Sequence, residues 1–192
     1  AVKVLRESGM SRRIEDLIRF HAEARIVAKI SHPGIVALHE IGELAAPLVA
    51  GQSVHFLVME HIAGTSLQDA LDRGGTIDQK EIINIACQVC DALAHVHDAG
   101  IVHRDIKPGN IMISGRGDDL RAVIIDFGLA HVREYGGDRG EGALGTFRYM
   151  SPEQSGMIRR TVDERSDLYS LGVLLYRLMA GRLPFEGGDA SS

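Results

Sequence analysis

Apolar positions begin at once. Ala1, Val2, Val4 and Leu5 predict a short strand around one charged residue, Lys3. From Ser11 to Ile30, the residues Ile14, Leu17, Ile18, Ala22, Ile26 and Ile30 recur close to helical spacing. The pair His32-Pro33 ends that pattern, because a residue before proline is pushed out of helical conformation. Ile35 to Ile41 and Val54 to Met59 are β-rich apolar runs on either side of a loop around Pro47 and Gly51. They predict two strands of an antiparallel sheet.

The character changes after Gly64. Asp78 with Glu81 three residues on predicts a capping box opening a helix that runs to Ala99 and stops at Gly100. Ile101-Val102, Ile111-Met112-Ile113 and Val123-Ile124-Ile125 predict very short strands, the last ending at Asp126. Residues 129–146 are glycine-rich and irregular. Asp167 opens a helix carrying Leu168, Leu171, Val173, Leu174, Leu175, Leu178 and Met179, with Gly181 and Pro184 closing it. That helix is apolar nearly all round, which predicts deep burial. There is no internal repeat and no low-complexity tract. The layout is α+β: a β-rich first lobe over residues 1–59, a hinge at 60–64, and a mainly helical second lobe over 65–192. A cleft between two such lobes is a natural ligand site.

Composition narrows the class. The 192 residues are 45% hydrophobic and 24% charged, which excludes disorder, collagen and coiled coil. A net charge of −5 argues against a dedicated nucleic-acid binder. No apolar run approaches the roughly 20 residues of a membrane span. Cys87 and Cys90 are the two cysteines, too few for a disulfide framework and suited to a reducing, cytoplasmic compartment. The chain starts without Met and ends on the loop-like Gly187 to Ser192, so it reads as a piece of a longer protein.

The string His103-Arg104-Asp105-Ile106-Lys107-Pro108-Gly109-Asn110 carries the strongest chemistry. Asp105 can accept a proton or orient a hydroxyl. Lys107, two residues on, puts positive charge where a transferring phosphoryl group develops negative charge. Asn110 offers a neutral oxygen suited to Mg²⁺, and Asp126, next to Phe127-Gly128 at the end of an apolar strand, offers a second hard oxygen.

These strings resemble the bacterial branch of the eukaryotic-type Ser/Thr protein kinase family, over essentially the whole chain. His103 to Asn110 is similar to its catalytic loop, and Asp126-Phe127-Gly128 to its metal-binding motif. Ser151-Pro152-Glu153 stands where the family has Ala-Pro-Glu, and Asp167 where it has a buried aspartate opening the central helix. The resemblance implies a two-lobe kinase fold and ATP- and Mg²⁺-dependent phosphorylation of Ser/Thr on a protein substrate. It implies Asp105 as the base, Lys107 and Arg104 beside it, and Asn110 and Asp126 on Mg²⁺. It also implies that Lys3 holds the nucleotide phosphates and that Glu23 holds Lys3. The resemblance further implies that Met59 backs the adenine pocket, that Glu60 and Ile62 offer hinge backbone groups, and that Met112 joins the nucleotide contacts. The wording from Tyr149 to Gly156 and from Asp163 to Gly172 is similar to kinase modules at the head of large signalling proteins, which implies further regulatory domains in the parent. The Gly-rich loop and the later helices of the family lie outside this piece, so in isolation it is expected to be inactive.

Blander readings compete at each residue. A lone Asp105 is a loop aspartate, and a lone Lys3 a surface lysine; the ordered set of motifs outweighs both. Cys-x-x-Cys can bind zinc, but within an apolar helix and without a second ligand pair it reads as packing. His103 reads as a core residue under the loop. A small-molecule phosphotransferase of the aminoglycoside type shares the catalytic loop but not the combination with Asp126-Phe127-Gly128 and Ser-Pro-Glu. A pseudokinase interaction module usually lacks the lysine or an aspartate, and all are present here. Between Gly128 and Thr146 there is no Ser or Thr, which predicts activation without phosphorylation of that loop.

Overall fold

The computed structural model describes residues 1–4, 21, 24, 25, 27–45, 53–74, 77–126 and 147–185. The first sheet holds β1 (Val2–Val4), β2 (Leu38–Ala45) and β3 (Ser53–Met59), all antiparallel in the order β1-β3-β2. Lys3 pairs with Leu57, and Ile41 pairs with the same residue from the other side. The strand onset differs from the hydropathy pattern: β2 starts at Leu38, not Ile35. Ile35 and Val36 are buried and face the other sheet instead. Val36 N–H donates to Ile124 O at 2.9 Å, and Ile124 N–H donates to Gly34 O at 2.9 Å. His21, Ala24, Arg25 and Val27 are helical, and the turn at Ala28–Lys29 ends that helix ahead of His32-Pro33. Most of the span 11–30, Glu23 included, lies outside the described residues, as do the loop around Pro47 and Gly51, and residues 127–146.

The second sheet is small: β4 (Thr65–Ser66), β5 (Ile111–Ser114) and β6 (Arg121–Ile124), antiparallel in that order. Two helices pack on it, α1 (Leu67–Asp72) and α2 (Gln79–Asp98), and α3 (Glu164–Ala180) packs against α2. Ser66 caps α1, its hydroxyl accepting from Asp69 N–H at 3.0 Å. The predicted capping box at α2 does not form. Asp78 is the N-cap without a side-chain bond, and Glu81 is buried and accepts from Gly117 N–H at 3.1 Å. A tertiary partner has taken the carboxylate that the local motif would have used. Ile101-Val102 forms no strand and leads into the loop at 103–110. α3 ends on Gly181, whose φ of 72° only glycine adopts freely.

One apolar cluster joins both parts. It runs from Val27, Ile35 and Leu57 through Ile85, Val89 and Leu93 of α2 to Leu171 and Leu174 of α3. Two expectations fail here. α3 buries one face only, with Leu168 51% and Met179 59% exposed. Cys87 and Cys90 are both exposed, because the buried stripe of α2 runs through Ile82, Ile85, Val89, Leu93 and Val96 and leaves the thiols on the opposite side. Burial of its surroundings still pushes the Cys90 thiol up. Among the described residues, no helix is long and apolar enough to cross a membrane.

Candidate active site

The loop after α2 is pinned from below. Asp167, fully buried near the start of α3, accepts from His103 N–H at 2.8 Å and from Arg104 N–H at 2.7 Å. His97 Nε2–H donates to the same carboxylate at 2.8 Å. Arg104 takes φ 67°, a left-handed conformation that an L-residue enters at a cost of about 1–2 kcal/mol. Gln154 Nε2 donates to Arg104 O at 2.7 Å, so the strained residue is held on both of its peptide groups. Buried His103 supports the next one, its Nδ1 accepting from Asp105 N–H at 3.2 Å.

The acidic centre follows. Pro108 opens a 3-10 turn over Pro108–Asn110, where its fixed φ and missing N–H suit the first turn position. That turn swings Asn110 back, and its Nδ2 donates to Asp105 O and to Asp105 Oδ2, both at 2.8 Å. Lys107 Nζ lies 2.8 Å from the same Oδ2. Ile125 N–H donates to Asn110 O at 2.9 Å, which ties the turn to the end of β6 and places Asp126 beside it. From the other sheet, Lys3 Nζ reaches both Asp126 oxygens at 2.6 Å. Both partners are about a third exposed (33% and 31%), so this pair adds little to stability. Its placement across two sheets is its significance.

The structure therefore brings together Lys3, Asp105, Lys107, Asn110 and Asp126, with Arg104 beneath them. Glu23 lies outside the described residues. Met59 ends β3 and is half-buried, Ile62 is half-buried, and Met112 lies on β5 opposite Ser66 and Val123. Glu60 N–H donates to Ala37 O at 2.8 Å, which leaves its carbonyl as the backbone group it can offer a ligand. Glu153 accepts from the Ser166 hydroxyl at 2.6 Å, a bond that holds its carboxyl below the usual carboxylate range.

Some supporting residues escape the sequence reading. Gln88 accepts from Ala122 N–H and donates to Leu120 O, both at 2.9 Å, which clamps α2 to β6. His97 and Gln154 hold the loop as described. Their signal in sequence is weak: a polar residue beside a buried stripe, whose partner lies dozens of positions away.

Does this donor set suit a divalent cation? Asn110 turns its amide nitrogen to Asp105, and its amide oxygen accepts nothing among the described residues. Asp126 supplies a carboxylate held by a single cation. Two hard oxygens with remaining positions for phosphate and water match how Mg²⁺ binds with nucleotides. Among the described residues, no cluster of three or more His, Cys, Asp or Glu is placed to hold a metal unaided. The set therefore fits an ion that arrives with phosphate.

Comparison with known proteins agrees with this geometry. Residues 1–192 match the protein kinase domain family. The serine/threonine-protein kinase PknB of Mycolicibacterium smegmatis is 39% identical over 190 residues, covering 97% of this chain and 29% of that protein. The probable serine/threonine-protein kinase PknB of Bifidobacterium longum is 38% identical over 195 residues, covering 99% and 27%. The chain thus spans under a third of the length of these relatives. Among solved structures, a PknI kinase domain from Mycobacterium tuberculosis superimposes with TM-score 0.72 at 26% identity, covering 96% of this chain and 65% of that one. Rad53 in complex with AMP-PNP superimposes with TM-score 0.70 at 30% identity, covering 98% and 43%. A pinned aspartate loop, a lysine reaching the aspartate after β6, and a match that runs from the first residue to the last lead to one conclusion: this chain belongs to the protein kinase domain family.

Proposed function

We propose that this domain transfers the terminal phosphoryl group of ATP to serine or threonine hydroxyls of protein substrates. The observation that carries this reading is the Asp105–Lys107–Asn110 cluster tied through Ile125 N–H to Asp126 and thence to Lys3. Asp105 orients the incoming hydroxyl and takes its proton at the carboxylate. Lys107, already on Asp105 Oδ2, is near enough to offset charge gathering on the transferring group. Asn110 keeps the Asp105 carboxylate turned into the site. Lys3, now on Asp126, would hold the nucleotide phosphates, and Asp126 and Asn110 would hold Mg²⁺, which would supply charge neutralisation for the phosphates when bound. Arg104 acts through its backbone, which sets the direction of Asp105. Met59, the Glu60 carbonyl, Ile62 and Met112 form the adenine side. Glu23 completes the lysine contact in this proposal, and further domains of the parent protein supply regulation.

The relatives' names and the lysine two residues after Asp105 favour Ser/Thr over Tyr. The test is labelled ATP with the full-length protein and a generic protein acceptor. Phosphoserine or phosphothreonine forms, and Lys3→Met reduces transfer by about two orders of magnitude or more. Exclusive phosphotyrosine, or a fully active Lys3→Met, would contradict the proposal.

A further inference from the structure

Arg177 occupies an unusual position for a charged side chain. It lies in the last turn of α3, and its guanidinium reaches α1 and the turn at Tyr149. It donates to Gln68 Oε1 of α1 at 3.1 Å and to the Tyr149 hydroxyl. Both partners are neutral, and among the described residues it makes no ion pair. Burial pushes the Tyr149 phenol above its ordinary range against the pull of Arg177, so this hydroxyl does not ionise to balance the cation. Arg148, exposed on the adjoining residue, adds a second positive charge within reach of the same hydroxyl. Among the described residues the anion that acts on the Tyr149 hydroxyl is Asp72, and it already accepts from Gln68 Nε2 at 2.7 Å.

The junction flanks the reacting centre on two sides. The segment carrying Tyr149 continues to Gln154, which is bonded to Arg104 O of the catalytic loop. α1 packs against the 3-10 turn that carries Asn110. Arg177 therefore bonds both to α1, which packs on the turn carrying Asn110, and to the segment that reaches Arg104 through Gln154. A planar guanidinium with weak neutral partners is well suited to exchange them for a peptide carboxylate, which it can grip with two parallel bonds.

We infer that Arg177, assisted by Arg148, selects protein substrates with an acidic residue close to the phosphorylated Ser or Thr. This rests on the kinase reading above and adds the substrate class to it. No bond is made or broken at this site; the contact acts on binding and orientation.

The test uses the full-length protein and three peptides that differ only in carrying Glu, Ala or Lys beside one Ser. The expected kcat/KM for the Glu peptide exceeds that for the Lys peptide by about tenfold or more, the scale of a charge-assisted contact, and arises mainly in KM. Arg177→Gln brings the ratio to within about twofold of unity, and Arg177→Lys, which keeps the charge but loses the two-pronged grip, retains only part of it. Gln68→Glu, isosteric and on the more accessible partner, places a resident carboxylate on Arg177 and collapses the ratio even if Arg177→Gln fails to fold. A wild-type preference for Lys, or a ratio untouched in Gln68→Glu and in folded Arg177→Gln, overturns the inference while phosphorylation of the Ala peptide leaves the kinase reading standing. No phosphorylation of any peptide overturns both.

Discussion

Asp167 shows how one side chain can set the shape of a loop sixty residues away. Its carboxylate accepts two successive backbone N–H groups and a histidine, and the left-handed Arg104 depends on it. Asparagine at this position keeps the shape but turns an NH₂ group toward donors. Asp167→Asn is expected to cost roughly 1.5–3 kcal/mol in urea unfolding, the scale of a hydrogen bond to a charged group. A loss below about 0.5 kcal/mol would show that Arg104 is held by other means. At this scale the sequence was most readable where chemistry is local. Asp105, Lys107 and Asn110 sit within six positions, and the turn that joins them is dictated by Pro108. The sequence also points to a buried Asp167 and to His103 as a core residue under the loop, and both are buried, although α3 opens at Glu164 behind the N-cap Asp163 and not at Asp167. Gln154, His97 and Gln88 were not, because each gains its role only from a partner far along the chain.

Among the elements, β4 is only two residues long, and its contact with β5 rests on a close backbone approach at Gly64. A Cβ there would meet Ile113 O at 2.3 Å, a backbone atom that cannot swing aside. Gly64→Ala must therefore push the backbone at residue 64 away from β5, where Thr65 pairs with Ile113 and Ser66 with Met112. The expected result is a loss of about 1–3 kcal/mol in stability and weaker ATP binding, read by thermal unfolding and nucleotide titration. Unchanged values for both would mean that the backbone at residue 64 shifts freely. Element type followed from hydrophobic period, as β3, β5, β6 and α2 show. Element ends and faces did not. Ile35 and Val36 have strand-like side chains but spend their backbone groups on β6, outside β2. Glu81 has the spacing of a cap yet serves Gly117. Apolar residues around α3 suggested full burial, whereas Leu168 and Met179 stand exposed.

Over the whole molecule, a single apolar cluster passes from the first sheet to α3, and above it Lys3 meets Asp126 across 123 positions of sequence. The α+β division into a β-rich first part and a helical second part was legible from the pattern. What the pattern could not give was this cross-sheet contact, since no periodicity couples β1 to the residue after β6. The central claim is that this assembly exists to place the Asp105 carboxylate against a substrate hydroxyl while ATP is held by other residues. The most direct measurement is Asp105→Asn in the full-length protein, with phosphoryl transfer and ATP affinity measured side by side. Transfer is predicted to fall roughly 10²–10⁴-fold, the worth of a positioned base, with the ATP dissociation constant unchanged. A kcat near that of the unaltered protein, or a loss that appears only in ATP binding, would contradict the account.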